Sequence, residues 1–535
     1  MAAVGGGPCL ASARGSIATS RTTCAVVLLW IAAILAEAVG VPTPLQAQEV
    51  ANLGAQLQQL IDQPKWESAL WGVHIVSLKA GSVLFSSNAR KRFVPASNMK
   101  LLIGAVALER FGPDFRFETP VYGEGTIDAQ GRLLGNLVIA GHGDPNLEGR
   151  VYDPQQEELT PQDVPNSMAQ IAAQLVDRGV KSIVGDVIAD ETLFLHEPHD
   201  PSWAVENMLW SYSAPVSSLA VSENWFQLEV LPAETEGGAA FIHRVPTETG
   251  LAFVNQVRTI SQTRQAWMGI DRNEMGNRVT LRGEIPLRHA GLKYNLAARD
   301  AGMFAGQLLR LALVQRGIGV TGEVKTRQLP ELDTLEQGKT SLDAAKRLQS
   351  VHREEQRLAS IKTQPLSESL KIMMKASNNL YAEMMLRNLG ASATGLGSVD
   401  TGMAAVETFL EKTGTPRNGV SLNDGSGLSR KNLITPESVV RVLQYMDQHP
   451  LRDVFLDLLP MAGRDGTLRN RMKKGHAFEH IFAKTGSIDF VNTLSGFAMA
   501  KSGERLAFSI MVNNSNATSR EVREAVDMIC EWMTQ

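Results

Sequence analysis

Cysteine is scarce: three residues in 535, at Cys9, Cys24 and Cys530. The first two fall in a stretch that reads as a leader. Cys530 is then alone in the rest of the chain, which excludes an internal disulfide there. A strong charge of either sign is also missing. Lys and Arg number 52 against 56 Asp and Glu, a net charge of −4, so there is no basic footprint for a polyanion and nucleic-acid binding is disfavoured. With 44% hydrophobic and 20% charged residues, the composition is that of a folded protein rather than a disordered one. No internal repeat or low-complexity block is present. The N-terminal apolar run, Cys24 to Ala36, falls short of the ~20 residues that cross a bilayer comfortably.

What is present divides into a leader and a long remainder. Arg14 and Arg21 precede the apolar run, and small residues follow it up to Ala47-Gln48-Glu49. This order of charge, apolar core and small residues is that of a secretory leader over residues 1–47, with cleavage after Ala47 or after Ala38. The expected location is outside the cytoplasm, in the periplasm or cell envelope. An uncleaved anchor, and with it weak membrane association, stays open. Cys24 opens the apolar run instead of following it, which argues against a lipid-anchoring cysteine.

A chain of this length exceeds one ordinary domain. Leu53, Leu57, Leu60 and Ile61 recur at helical spacing, and the runs Ser68–Leu78 and Ser82–Ser86 flank Lys79-Ala80-Gly81 as a hairpin. A helix follows Pro95 and stops at Phe111-Gly112-Pro113. From about residue 118 short strand-like runs alternate with turns, with helices near Ser167–Arg178 and over residues 297–317, and a charged stretch over Leu329–Arg357 reads as linker or solvated helix. From Pro365 the texture is helical, closing with strands at Ile481–Ala483, Val491–Met499 and Leu506–Val512 and a last helix whose Val522, Val526, Ile529 and Met533 share a core-facing stripe. The expected organisation is one α/β domain split into 48–117 and 365–535, interrupted by a more β-rich domain (118–223 and 293–364) that itself carries a further insertion (224–292).

Three short motifs occur in order. Ser97-Asn98-Met99-Lys100 opens the first internal helix, Ser377-Asn378-Asn379 lies inside Leu370–Leu386, and Lys484-Thr485-Gly486-Ser487 lies between strand-like flanks. A serine hydroxyl is a poor nucleophile until a neighbouring base takes its proton. Residues three apart on a helix share a face, so Lys100 can reach Ser97. In a dry cleft, burial and a second cation lower a lysine's pKa and make it a base, and Lys484 supplies that cation and a grip for a substrate carboxylate. Ser97 in the first helical turn places the positive helix end near a developing oxyanion. Ser377 is positioned to relay a proton and Asn379 to hold a substrate amide.

Singly these motifs are weak. A second K-T-G, Lys412-Thr413-Gly414, ends a helical run, where Gly414 reads as a C-cap. S-x-N recurs at Ser86-Ser87-Asn88, Ser222-Glu223-Asn224 and Ser421-Leu422-Asn423, all read as turn or surface polar residues. His196-Glu197-Pro198-His199-Asp200 has ligand-type residues, but its proline and spacing are wrong for a helical zinc motif, so a surface loop is expected. Gly141-His142-Gly143-Asp144 reads as a turn rather than a phosphate loop. The S-x-x-K motif has no second copy, and order and combination carry the inference.

S-x-x-K, S-x-N and K-T-G in this order are the signature of penicillin-binding proteins and serine β-lactamases. The chain resembles the class C low-molecular-mass penicillin-binding proteins, the D-alanyl-D-alanine carboxypeptidase/endopeptidases. Gly143–Leu147, Asp186–Asp190, Ser213–Leu219, Asp424–Arg430 and Gly466-Thr467-Leu468 look like landmarks of that family, and the long gap between Ser97 and Ser377 matches its extra domains. Ser217-Ser218-Leu219 departs by carrying serine next to leucine where the family has alanine. The resemblance implies an antiparallel sheet flanked by helices, with two inserted domains. It implies an acyl-enzyme formed by Ser97 on peptidoglycan stem peptides, with Lys100 as base and the backbone N–H groups of Ser97 and Ser487 as oxyanion hole. Ser377, Asn379, Lys484 and Thr485 would position substrate and protons, and Asp190 would bind the amino end of the stem peptide. It also implies covalent inhibition by β-lactams and neither metal nor cofactor. A β-lactamase, or a cell-wall-binding module that does not turn over, are the rival readings.

Overall fold

The first internal helix has no polar stripe, and a helix apolar all round must be enclosed by protein. In the computed structural model, which describes residues 44–156, 158–273, 277–329 and 356–535, helix α1 (Met99–Phe111) is buried at every position from Met99 to Leu108. Helices α2 (Leu366–Lys375) and α3 (Asn379–Thr394), together with Val399–Lys412 and Pro436–Gln448, surround it. Leu102, Ile103, Leu370, Met373, Met385 and Val439 share this core. Gly112, with φ 76°, ends α1 where the Gly-Pro pair was expected to end it.

One five-stranded antiparallel sheet backs these helices. Its strands are β1 (Leu70–Ser77), β2 (Val83–Ser87), β3 (Ile481–Ile488), β4 (Val491–Met499) and β5 (Arg505–Asn513), in the order β3-β4-β5-β1-β2. Strand β1 pairs with β5 from Leu70↔Asn513 to Ser77↔Leu506, so the two ends of the chain close one sheet. The hairpin β1–β2 lies where expected. Strand β3 runs further than Ile481–Ala483 and carries the Lys-Thr-Gly triplet within it. Helix α4 (Ser519–Thr534) is capped by Thr518 and packs on β4 through its apolar stripe, with Cys530 buried beside Ile529.

Between these halves lies a seven-stranded mixed sheet containing Glu118–Ile127, Arg132–Ala140, Val187–Leu195, Val324–Leu329 and Arg357–Lys362, covered by Asn166–Asp177 and Ala301–Gln315. Two three-stranded sheets follow from residues 225–297 and enclose a core of their own around Phe226, Val257, Leu281 and Leu296. The expected limit between 292 and 293 cuts through strand Leu292–Ala297, which pairs with Trp225–Leu231. Leu296 packs in the smaller core and Ala298 in the larger, so the chain changes cores at Ala297.

Contacts separate residues 1–59 from residues 60–535. The described part of the first unit is helical, in Pro44–Ile61, where the leucine spacing predicted a helix. Residues 1–43 of the expected leader, and residues 330–355 of the charged stretch, lie outside the described residues. Among the described residues no helix is long and apolar enough to cross a membrane. Leu102 is fully buried, and Leu102→Ala should lower stability by about 2–5 kcal/mol through lost transfer energy and a cavity, read as a lower urea midpoint with an unchanged m value.

Candidate active site

Ser97 is held in place before any chemistry is considered. It lies in a 3₁₀ turn, Ala96–Asn98, that feeds into α1, rather than in the first α-helical turn. Ala96 has a positive φ of 46°, a strained conformation that persists only when neighbours over-determine it. Several neighbours hold it there. Thr493 Oγ1 donates to Pro95 O at 2.9 Å, and Asn98 Nδ2 donates to Ser495 Oγ at 2.7 Å. Gly427, with φ 84°, comes so close that a Cβ there would overlap Ala96 O. A Cβ on Gly486 would lie 2.8 Å from Pro95 O, so glycine lets β3 press against the turn.

Lys100 Nζ is 2.9 Å from Ser97 Oγ, 2.7 Å from Asn379 Oδ1 and 2.7 Å from Ser426 O, with no exposed surface. Burial pushes its pKa down to about 7, against the opposing pull of Asp424 and Glu383. As an ammonium, Lys100 donates to all three partners. As an amine it has two N–H groups, satisfied by the two carbonyl oxygens, and a lone pair left for the Ser97 O–H.

The second motif is not inside one helix. Helix α2 ends, Ser377 reverses the chain at φ 60°, and Asn378 caps α3 by accepting from Tyr381 N at 3.2 Å. Asn379 Oδ1 faces Lys100, and its Nδ2 donates to Tyr212 O at 2.8 Å. Lys484, fully buried in β3, donates to Ser377 Oγ at 2.8 Å and to Thr485 O at 2.9 Å. Burial, and then the charge of Lys100, hold its pKa well below the usual lysine range. Thr485 Oγ1 donates to Thr467 Oγ1 at 2.7 Å, and Ser487 Oγ to Asn492 Oδ1 at 3.4 Å.

The edge of β3 supplies the backbone groups. Ala483 N donates to Pro460 O and Ala462 N to Ile481 O, so Ile481 and Ala483 point theirs outward. With a period of two, Thr485 and Ser487 point the same way. Ser487 is exposed, which leaves its N–H on the open side of the strand.

Several supporting residues had no sequence signal strong enough to assign. Asp424 is fully buried and accepts from Gly427 N (2.7 Å), Ser429 N (2.7 Å), Asn432 Nδ2 (2.6 Å) and Trp203 Nε1 (2.8 Å). This shapes the loop whose Ser426 O receives Lys100. Glu383 Oε1 accepts from Ser426 N at 2.8 Å, and Arg387 Nη1 lies 3.1 Å from Glu383 Oε2. The dense Asp-Gly-Ser-Gly run was readable as a turn but not as a support for a lysine on another element.

Two expectations need correction. Ser222-Glu223-Asn224 is a turn, with three positive φ angles, but it is buried. Glu223 accepts from Asn378 Nδ2 at 2.8 Å and pairs with Arg150, so this turn braces the second motif. The segment from His196 to Asp200 is not a surface loop. Asp200 accepts from Asn423 Nδ2 at 2.7 Å, Glu197 O accepts from Arg387 Nη2 at 3.0 Å, and burial lowers the His199 pKa to about 4. Asp190 lies in the inserted region, on the seven-stranded sheet. It is 3% exposed on strand Val187–Leu195, ion-paired with Arg327 at 3.0 Å and bonded to Thr192 Oγ1 at 2.6 Å. Arg327 also pairs with Glu124 at 2.7 Å, so one guanidinium charge is shared between two carboxylates.

Helices enclosing a buried Ser–Lys turn against the edge of an antiparallel sheet are the architecture of the penicillin-binding serine acyltransferases. Comparison with known proteins narrows that class. The chain belongs to the D-Ala-D-Ala carboxypeptidase 3 (S13) family, whose sequence model matches residues 53–349 and 333–533. It is 31% identical over 479 residues to the D-alanyl-D-alanine carboxypeptidase of Actinomadura sp. (strain R39), covering 88% of this chain and 82% of that one. The D-alanyl-D-alanine carboxypeptidase DacB of Haemophilus influenzae is 26% identical over 442 residues, covering 82% and 84%. The crystal structure of penicillin binding protein 4 (dacB) from that organism superposes with a TM-score of 0.73 at 24% identity, covering 89% of this chain and 97% of that one. The expected fold and the serine carboxypeptidase class both stand.

Gly427→Ala tests the tightness of the Ser97 turn. A misplacement of about 1 Å at a reacting atom can cost about 100-fold in rate. Release of D-alanine from a pentapeptide should therefore fall by about that factor, while circular dichroism stays that of the parent.

Proposed function

We propose that Ser97 is the nucleophile of a D-alanyl-D-alanine carboxypeptidase reaction on peptidoglycan stem peptides, with Lys100 as its base. The observation that carries this reading is the fully buried Lys100 amine 2.9 Å from Ser97 Oγ, its other two partners both acceptors. Ser97 Oγ bonds to the penultimate D-Ala carbonyl carbon as its proton passes to Lys100. The carbonyl oxygen becomes an oxyanion between the backbone N–H groups of Ser97 and Ser487. The C–N bond to the terminal D-Ala then breaks, with the leaving nitrogen taking a proton from Lys100 by way of Ser377. Water hydrolyses the acyl-enzyme by the same proton path in reverse.

Lys484 and Thr485 take the terminal carboxylate. In the free cleft burial and the charge of Lys100 depress Lys484, and an arriving carboxylate beside Lys484 favours its charged form. That charge in turn keeps Lys100 neutral. Asn379 acts first on Lys100 through Oδ1. Its second Nδ2 hydrogen remains for a substrate amide.

The open edge of β3 also supports endopeptidase action on a D-Ala–diaminopimelate cross-link, whose leaving group continues into a second peptide. A β-lactam ring would acylate the same serine, and the H. influenzae penicillin binding protein 4 has been solved with a β-lactam. The proposed organisation is a catalytic domain of residues 48–117 and 365–535 behind an export leader over 1–47, with the inserted domains between. The proposed location is the periplasm or cell envelope, where the substrate lies.

Mass spectrometry after benzylpenicillin treatment tests the nucleophile. A covalent adduct on Ser97, absent in Ser97→Ala, is expected, and an unmodified Ser97 in folded protein would overturn the reading. The Lys100 pKa of about 7 sets the pH response. Below it the lysine is protonated and cannot accept the serine proton, so the second-order acylation rate should climb as pH rises through about 7 and then level off. Lys100→Arg should remove both the rate and the inflection. Incubation with pentapeptide and cross-linked muropeptides separates carboxypeptidase from endopeptidase turnover. Release of D-alanine in excess of enzyme distinguishes either from a binding module.

A further inference from the structure

One segment closes the outer edge of β3 and then opens it. Residues 460–462 pair with β3 up to Ala483, with Ala483 N 2.9 Å from Pro460 O. After Asp465 the segment turns through Gly466-Thr467-Leu468 and leaves the strand. At the point of departure Thr485 Oγ1 donates to Thr467 Oγ1 at 2.7 Å. Thr467 is the acceptor of that bond and is exposed, so its own hydroxyl proton is free to point into the cleft.

The turn is anchored from three directions. Asp465 accepts from Lys375 Nζ at 2.6 Å and from Met461 N at 2.8 Å. Gly466, at φ 54°, sits where a Cβ would be 2.8 Å from Lys375 O, on the end of α2. Its N–H donates to Tyr152 Oη at 3.0 Å, and Arg469 Nη1 donates to Pro154 O at 2.8 Å. Lys375 Nζ also lies 5.7 Å from the centre of the Tyr152 ring. Tyr152 and Pro154 come from the inserted region, so that region holds a turn that borders the substrate edge of the catalytic sheet.

We propose that Thr467 is a substrate-binding residue, donating its hydroxyl to the terminal carboxylate beside Thr485 and Lys484, with Tyr152 as its positioning residue. Two hydroxyls bonded to each other keep one proton between them and turn one outward. A carboxylate, which only accepts, matches that pattern, and a carboxyl ester loses the charge that makes such a bond strong. The inference rests on Thr485 and Lys484 forming the carboxylate site of the proposed reaction.

The test compares Thr467→Val, Thr467→Ser and Thr485→Val in the full chain. D-alanine release is measured for a peptide ending in D-Ala-D-Ala, and Ser97 acylation is measured with benzylpenicillin and with its carboxyl methyl ester. Thr467→Val should lose about 10–100-fold in kcat/KM and in penicillin acylation, the loss of a hydrogen bond to a charged group. It should acylate with the ester at the parent rate. Thr467→Ser should restore both carboxylate reactions. Tyr152→Phe, which keeps the ring but removes the acceptor of Gly466 N–H, should raise KM for the peptide more than it lowers kcat. Parent-like carboxylate kinetics in Thr467→Val, or an equal loss with the ester, would overturn the inference. If Thr485→Val loses carboxylate discrimination while Thr467→Val does not, this inference alone fails. If Thr485→Val keeps it, the underlying carboxylate site fails.

Discussion

A lysine with no exposed surface, within hydrogen-bonding reach of a serine, is the constraint on which the rest of this structure depends. Taking an ammonium out of water costs several kcal/mol unless partners or neutralisation offset it. Lys100 meets both conditions. Its three acceptors come from α1's own entry turn, from α3 and from the Asp424–Asn432 loop, so three distant parts of the chain must be in register for it to be buried at all. Two buried acids, Asp424 and Glu383, favour its charge, while burial opposes it more strongly. The balance leaves the group poised near neutrality, where a base can both take a proton and return it.

The inserted region reads in sequence as an appendage, yet its residues reach the second motif and the turns around the other two. Trp203 donates to Asp424, Tyr212 O receives Asn379, Glu223 receives Asn378, Glu197 O receives Arg387, and Tyr152 receives Gly466 N–H. These contacts are side chain or backbone caps on turns that would otherwise expose polar groups to a cleft. A buried polar group left unpaired costs about 1–3 kcal/mol, so several such caps together hold the cleft to one arrangement. The buried Glu383–Arg387 pair follows the same logic. Burial and the adjacent Asp424 raise the Glu383 pKa, and Arg387, itself 1% exposed, limits that rise.

Legibility in the sequence followed the range of the interactions. Helix α1 was readable because ten successive residues from Met99 to Leu108 are enclosed, and its end because Gly112 and Pro113 act locally. The hairpin, the stripe around Cys530 and the Gly414 cap were readable for the same reason. Ser377 was not, since its left-handed conformation is imposed by Lys484 and by Glu223 acting on Asn378, far away in the chain. Lys-Thr-Gly has weak strand propensity, and only pairing with β4 extends β3 through it. His196–Asp200 and Ser222–Asn224 looked like exposed polar turns because polarity was the only local signal, whereas the first is half-buried and the second buried, each with partners far away in the chain.

The order of the three motifs, the single S-x-x-K and the length of the insertion were decided by the sequence alone, because nucleophile, base and spacing are matters of residue type and count. The tertiary structure alone decided which acids surround Lys100, that Asp190 and Glu124 share Arg327, and that Thr467 meets Thr485. Each of these depends on distances between residues far apart in the chain, and electrostatic and hydrogen-bond energies are set by those distances and by burial rather than by residue type.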